Sequence, residues 1–520
     1  MDGVDRTVAV PDRPDQVERL EGELRDGLER LLGYLRQDTG SLDLEQLERE
    51  LWKWVAQVYR LSVALFLAVR HRQLDLGGYL AAGWRVKVAF ARRTIKTLGG
   101  PVTFGRAYLR RGRGHGWFPL DAALGLSQDG FSWRVIDAVT RLATRVSYQA
   151  VRDIVGGLWG WSPSAEAIEG LVIGLGRSAA AFLATQGQLA GDGEVLVIEV
   201  DGKAAPFATE AELAARRRKR TRAGCPCGRA GCRRHRRRSR RAGRVRKRNT
   251  RGHNSKNGRS ATLVVMYTLA RGPDGRLHGP INKKVWAQFG ARRAALEWAR
   301  LQATRRGFGP DTTRLVQIVV DGERCLRQQL ADLFANATFT LDLRHAQERL
   351  WKAGRQFHAE ASAALEAWVQ PLQTLLVAGR IGELLERLRA IQAAVASRGP
   401  GTKAKRDVLA EQIRYIEERQ DMMQYGRYRR DDLVLATGVV EGACRHVLGE
   451  RLDAAGMRWT LAGAEAVLQL RCLERNGDWN AFLGWVIRGS TTRMRQHTPV
   501  QIRRRSPAHD PPPQHHQQAA

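Results

Sequence analysis

Val195-Leu-Val-Ile-Glu-Val-Asp201-Gly202 and Leu315-Val-Gln-Ile-Val-Val-Asp321-Gly322 are two versions of one phrase, set 120 residues apart. Each is a short β-branched apolar run, the pattern of a strand covered on both faces, and each closes on Asp-Gly. A single Asp-Gly is a common turn. Two matching copies after buried strands put carboxylates at the end of a sheet, where a hard cation can reach them. A third carboxylate stands 120 residues further on, in Gly438-Val-Val-Glu441-Gly-Ala-Cys-Arg445-His446, which opens a helix after an apolar run. Two strand-end aspartates and a helical glutamate can hold the two Mg²⁺ (or Mn²⁺) ions of phosphodiester chemistry, so Asp201, Asp321 and Glu441 are the expected catalytic and metal-binding triad. Glu199 and Glu323, two residues from each aspartate, are rival ligands; Glu450, Asp453 and Glu465 rival Glu441 less strongly.

Between the two phrases come Ala261 to Leu269, a turn at Pro273-Asp-Gly, Lys283 to Phe289 and a helix from Ala291 to Arg305. Thr338 to Asp342 reads as a further strand feeding the helix after Arg344. The order β-β-β-α-β-α-β-α is that of a ribonuclease-H-like domain, an α/β layered fold with a mixed sheet. From Trp351 to Tyr428 the chain is amphipathic helix with a Gly399-Pro-Gly linker, an all-helical insertion, after which Leu433 to Val440 and the Glu441 helix complete the core. Asp342-Leu-Arg-His345 places an acid and a base three residues apart at a strand-to-helix junction, where both can face one site; Asp342 as a helix cap with His345 packed beside it is the alternative. In Gly456-Met-Arg458-Trp459-Thr460 a guanidinium beside a large ring suits phosphate contact with base stacking, while a core role suits Trp459 equally.

With 86 Lys+Arg against 53 Asp+Glu in 520 residues the formal charge is +33. From Arg216 to Arg251 there are 19 basic residues and no acid, which leaves +14 for the rest of the chain. Such a run cannot be neutralised inside a core, so it reads as a solvated insert for a phosphate backbone, with Arg216, Arg217, Arg218, Lys219, Arg220, Arg236, Arg237 and Arg238 as DNA-binding residues. Within it Cys225, Cys227, Cys232 and His235 have the donor types of a zinc knuckle but lack paired Cys-x-x-Cys spacing; structural Zn²⁺ and free thiols both stay open. Cys325, Cys444 and Cys472 read as buried packing residues. An apolar content of 43% excludes a wholly disordered basic protein, and no apolar run is long enough to span a bilayer. Six cysteines and no secretory leader pattern fit a reducing cytoplasm.

Toward the N-terminus, residues 15 to 37 and 43 to 71 carry helical periodicity, Thr97 to Leu126 reads as a hairpin, and Ser147 to Leu175 has the rhythm of a helix-turn-helix, with a purely structural helix pair as the alternative. The expected organisation is a helical N-terminal domain (1–96), a hairpin and helix-turn-helix-like DNA-binding region (97–190), a catalytic domain (191–350 and 431–487) interrupted by the basic insert (216–251) and the helical insertion (351–430), and a disordered tail (490–520).

Taken together, Val-Asp201-Gly-Lys203, Lys-Asn257-Gly-Arg-Ser-Ala-Thr-Leu-Val-Val, Gly279-Pro-Ile-Asn-Lys-Lys, Val-Val-Asp321-Gly-Glu-Arg-Cys-Leu, Leu-Asp342-Leu-Arg-His345, Gly399-Pro-Gly-Thr-Lys-Ala-Lys-Arg, Gly438-Val-Val-Glu441-Gly-Ala and Gly-Met457-Arg-Trp resemble the ISKra-type family of bacterial insertion-sequence transposases, over roughly residues 90 to 485. Asp342-x-x-His345 is similar to the Cys/Asp-x-x-His signature of the wider Mutator-like group, in which an all-helical insertion precedes the glutamate. The resemblance implies a DDE transposase with Asp201, Asp321 and Glu441 catalytic, Asp342 and His345 auxiliary, and Lys203 and Arg445 in contact with DNA. The expected activity is Mg²⁺-dependent cleavage at element ends and strand transfer into target DNA, by a homo-oligomer on DNA, cytoplasmic and nucleoid-associated, with no membrane partner. A non-catalytic nucleic-acid-binding scaffold and a hydrolytic nuclease are the alternatives.

Overall fold

A computed structural model of the chain describes residues 8–9, 15–36, 43–112, 115–186, 191–209, 211–215, 257–454 and 456–495. The basic insert from Arg216 to Arg251, with Cys225, Cys227, Cys232 and His235, and the tail beyond residue 495 lie outside the described residues; residues 490 to 495, expected to open a disordered tail, continue the helix Trp479–Arg495. The chain forms two compact units, Met1–Val139 with Arg152–Ser164 and Leu483–Ala520, and Thr140–Val151 with Ala165–Phe482. No helix among the described residues is long and apolar enough to cross a membrane.

In the first unit the helices Gln16–Arg36 and Leu44–Arg72 lie side by side, Asp43 closing a capping box at the start of the second. Val17, Leu20, Leu61, Ala64 and Leu67 pack from them onto Ile95, Val102 and Phe104 of a small sheet. Its strands are β1 (Val8–Ala9), β2 (Arg85–Thr97), β3 (Gly100–Arg111) and β4 (His115–Trp117), and β2 with β3 is the expected hairpin. The hairpin begins at Arg85 and not at Thr97. In Arg85-Val-Lys-Val-Ala-Phe-Ala-Arg-Arg-Thr-Ile the alternation is spaced by cations and the first half is solvent-exposed on both faces, so its apolar signal is diluted. Two helices follow Ser147, Tyr148–Trp159 and Ala165–Gly176; the second carries Glu166 and Glu169 and no Lys or Arg.

The second unit is built on a five-stranded mixed sheet of β5 (Val195–Pro206), β6 (Gly258–Arg271), β7 (Leu277–Phe289), β8 (Leu315–Val320) and β9 (Thr338–Leu341), in the order β7-β6-β5-β8-β9. The pairs β5-β6 and β6-β7 are antiparallel, β5-β8 and β8-β9 parallel. Residues Val195 to Val200 and Val316 to Val320 are buried throughout, as β-branched runs in the middle of a covered sheet must be. The helix Arg292–Arg305 packs on β6 and β7, where Trp298 stacks on Trp286 at 5.9 Å, and Leu461–Arg475 packs on β7 beside Ala165–Gly176. The result is an α/β core with strands and helices in the expected order.

After β9 the chain enters the helices Leu343–Gly354, Ala363–Ala378, Ile381–Ala394, Thr402–Glu417 and Tyr425–Arg430. They are tied back to the sheet. Tyr425 and Tyr428 donate their hydroxyls to the carbonyls of Leu341 and Phe339 at 2.9 and 3.0 Å, closing an open strand edge. Gln317, buried in β8, accepts from the Val434 N–H and donates to its carbonyl, seating the returning chain.

Candidate active site

The parallel pairing of β5, β8 and β9 stops at one level, and an aspartate stands just beyond it on each strand. The last β5-β8 pair is Glu199 with Val319 and the last β8-β9 pair is Val320 with Leu341. Asp201 and Asp321 each follow two residues beyond the first pair, and Asp321 and Asp342 one residue beyond the second. The register therefore sets three aspartates at one level across three adjacent strands.

The two Asp-Gly phrases, alike in sequence, differ in backbone. Asp201 does not end its strand: β5 continues to Pro206 because β6 pairs with it along its whole length, so Asp201 stands opposite Leu263 at the point where the parallel neighbour stops. Asp321 does end its strand. Its Oδ1 accepts the Glu323 N–H at 3.0 Å, and Gly322 has φ +89°, a conformation that glycine adopts without strain. A Cβ on Gly322 would also lie 2.5 Å from the Tyr415 hydroxyl. Tyr415 donates to the Asp321 carbonyl at 3.0 Å and Arg419 to the Gly322 carbonyl at 2.8 Å, so the helical insertion clamps this turn.

Glu441 lies in the first turn of a helix that begins at Gly438, three residues before the expected start. Two buried carboxylates hold that helix by its N-terminus. Glu199 accepts the Val440 N–H at 2.8 Å, and Asp342 accepts both the N–H and the hydroxyl of Thr437. Free N–H groups and the positive end of the helix dipole make this a natural seat for negative charge. Burial pushes the Glu199 carboxyl above its ordinary range against its hydrogen bonds from Tyr267 (2.6 Å) and Val440, and the charges of Asp342 and Glu441 add to the rise. Past Ala443 the helix widens into a π-helical stretch, Cys444–Gly449. The buried Cys444 thiol there faces Asp201; burial first, then the negative charge of Asp201, pushes its pKa up, and Glu441 acts in the same direction. The Glu441 carboxylate is exposed and pairs with Arg344 at 3.3 Å.

Asp342 is fully buried. Burial would raise its pKa, but hydrogen bonds from His345, Thr437 and the Arg344 N–H outweigh it and hold the carboxyl below its ordinary range. His345 Nδ1 lies 3.1 Å from Asp342 Oδ2, and that bond raises the imidazole pKa against partial burial, with the charge of Asp321 helping. Asp342 is thus both the helix cap and the partner of His345.

Among the described residues no three His, Cys, Asp or Glu side chains are gathered closely enough to close round one metal ion. The donors at the strand ends are carboxylate oxygens, the chemistry that a hard divalent cation requires. The rival carboxylates are engaged elsewhere: Glu323 pairs with Arg292 at 2.5 Å, Glu450 meets His446, Arg471 and Arg475, and Glu465 accepts the Phe289 N–H at 2.7 Å. Of the residues expected to touch DNA, Arg445 is exposed and Lys203 half-buried with its ammonium over Gly449, while Arg458 donates to the Met457 carbonyl. Trp459 is a correction. It is buried, its indole N–H donates to the Leu452 carbonyl at 2.8 Å, and its ring lies under Arg451 and edge-on to Tyr148, so no base can stack on it. Cys325 is a second correction: in the first turn of the helix Arg324–Ala331 it is exposed, whereas Cys444 and Cys472 are buried as expected.

No protein-family model matches the chain. It is 30% identical over 132 residues to a UPF0236 protein in the vanSb 3′ region of Streptococcus gallolyticus, a match that takes in 25% of this chain and 29% of that protein. The Drosophila P element transposase strand transfer complex aligns with 66% of this chain and 92% of that one at 12% identity, with a TM-score of 0.27.

Glu199, Tyr267, Thr437, Tyr415 and Arg419 shape the site without having been singled out for those roles. Glu199 carried a signal, a lone acid inside an apolar run, which is costly unless hydrogen-bonded; its partner Val440 stands 241 residues away. Nothing local marks Thr437 or Tyr415.

Proposed function

We propose that the chain is a DNA transposase of the DDE type on a ribonuclease-H-like core, cutting at the ends of an insertion sequence and joining the freed 3′-OH to target DNA. One observation carries the reading: Asp201 and Asp321 share a level on adjacent parallel strands, beside a helix whose N-terminus, three residues before Glu441, is seated on Glu199 and Asp342. The sheet order, antiparallel on one side of β5 and parallel on the other, supports the ribonuclease-H-like part. Asp201, Asp321 and Glu441, drawn together from the separated positions described above and with Glu441 released from Arg344, would hold Mg²⁺ or Mn²⁺, which would supply an acidified nucleophile and charge relief at the leaving 3′ oxygen. Asp342 orients the Glu441 helix and His345. Exposed Arg445, with Lys203 and the basic insert, supplies phosphate contacts, and homo-oligomerisation brings two ends together.

The test is a labelled element-end fragment with a plasmid target, assayed with Mg²⁺ for wild type and Asp321→Asn. The wild type is expected to give cleaved and joined products; the variant, which keeps shape but loses a charge, is expected to bind DNA and lose at least about a hundredfold of both reactions. Undiminished joining by Asp321→Asn overturns the mechanism, wild-type cleavage without joining makes the protein a nuclease, and binding without either makes it a scaffold.

A further inference from the structure

The helix Leu44–Arg72 buries one face and, among the described residues, leaves another largely exposed, along one edge of which the Tyr59 ring lies against Gly99. Trp52, Val55, Tyr59 and Phe66 are 36%, 38%, 40% and 54% exposed. Their spacing of three and four is that of a coiled-coil seam, continued by exposed Ser62. At about 100° per residue, Glu48, Trp52, Val55, Tyr59, Phe66 and Arg70 fall within a sector of about 60°. The stripe is thus acidic at its N-terminal end, apolar in the middle and basic at its C-terminal end, and among the described residues neither Glu48 nor Arg70 has an ion-pair partner.

This order of charges is self-complementary when reversed. We infer that the seam is an isologous docking surface for a second copy of this chain, the two helices running antiparallel across a two-fold axis at Tyr59. Residues 52 and 66 lie equally far from 59, as do 48 and 70, so Trp52 of each copy meets Phe66 of the other and Glu48 meets Arg70. A parallel pairing would set like charges together at both ends. The exposed apolar surface is on the order of 350 Å² per copy, which suits concentration-dependent, micromolar pairing and not an obligate dimer. The inference gives a surface to the homo-oligomer of the proposed function, and its failure is separable from that of the catalytic site, since every residue it uses belongs to the helix Leu44–Arg72 and the cleavage assay does not read it.

Sedimentation equilibrium of the full-length protein across a micromolar concentration series tests it. Wild type is expected to form dimers, Tyr59→Glu to weaken them at least about a hundredfold, and Glu48→Arg or Arg70→Glu alone about tenfold. The double variant Glu48→Arg/Arg70→Glu is expected to return to within about threefold of wild type, because the pairs are re-formed with signs exchanged. That rescue runs against the helix's own dipole, which favours the native signs, so better helicity cannot explain it. Both charged positions are exposed, which keeps this arm readable should Tyr59→Glu perturb folding. A monomer at all concentrations, a dimer indifferent to all four variants, or single reversals that the double does not rescue overturns the proposal; the last outcome would point to a segment of the same chain lying on the seam.

Discussion

At the scale of single residues, the region around Asp321 is a set of charges held by hydrogen bonds made across the fold. His345 has its pKa raised by Asp342, so the stabilisation that it contributes is complete below the unfolded imidazole value of about 6.5 and is lost as pH rises through the higher folded value. Asp342 behaves oppositely, its contribution being present above the ordinary aspartate range and lost as pH falls through its lowered folded value. Thermal melts of wild type should therefore lose stability above about pH 6.5 relative to His345→Asn, whose own profile should be flat there; parallel profiles would show that the pair is not coupled. Tyr267→Phe leaves the buried Glu199 carboxylate one donor short and should lower stability by about 1–3 kcal/mol in urea denaturation, with little change in DNA affinity. An effect below about 0.5 kcal/mol would mean that water replaces the hydroxyl.

At the scale of elements, the turn after β8 is fixed from two directions, by the positive φ of Gly322 and by Tyr415 and Arg419 reaching in from the insertion. Gly322→Ala should cost about 1–3 kcal/mol from backbone strain and more from overlap with Tyr415, and should depress cleavage by displacing Asp321; Gly202→Ala, in extended backbone with Ser260 Oγ 3.2 Å away, should be milder in both respects. Equal effects of the two substitutions on melting temperature and on end cleavage would contradict this assignment. The strands of the core were legible because a buried strand writes itself as an unbroken β-branched run, and β5 and β8 are such runs. β2 was not, because its apolar residues alternate with lysine and arginine on an edge facing solvent on both sides. Nor could the sequence distinguish the in-strand Asp201-Gly202 from the turning Asp321-Gly322: the difference lies in which neighbour keeps pairing, and β6 is separated from β5 by the whole basic insert.

At the scale of the molecule, charge and the candidate catalytic carboxylates are segregated along the chain, with 19 basic residues in one insert. Deleting Arg216 to Arg251 should weaken DNA binding and flatten the dependence of log affinity on log salt while leaving the thermal melt in place; an unchanged slope would remove the insert from the interface. Elemental analysis of the purified protein decides between a knuckle and free thiols: zinc bound in wild type and lost on Cys225→Ser/Cys227→Ser gives the first, no bound zinc the second. The candidate site was legible as residue types, since acids after buried strands are unusual, and its supports were not, since Glu199 with Val440 and Gln317 with Val434 join segments more than a hundred residues apart.

The seating of the Glu441 helix on Glu199 and Asp342 has a consequence for how the protein is made. A ribosome has delivered the whole sheet, with three aspartates in register, well before it reaches Thr437, and in that interval Asp342 has His345 and the Arg344 N–H and Glu199 has Tyr267, but neither has the helix N-terminus that completes its hydrogen bonds. A nascent or prematurely terminated chain ending in the helical insertion therefore holds the aspartates of the site but neither the glutamate nor the helix that neutralises their buried neighbours. Full-length synthesis is then a condition of the site: a chain that ends in the helical insertion lacks Glu441 and the Thr437 and Val440 N–H groups that Asp342 and Glu199 accept.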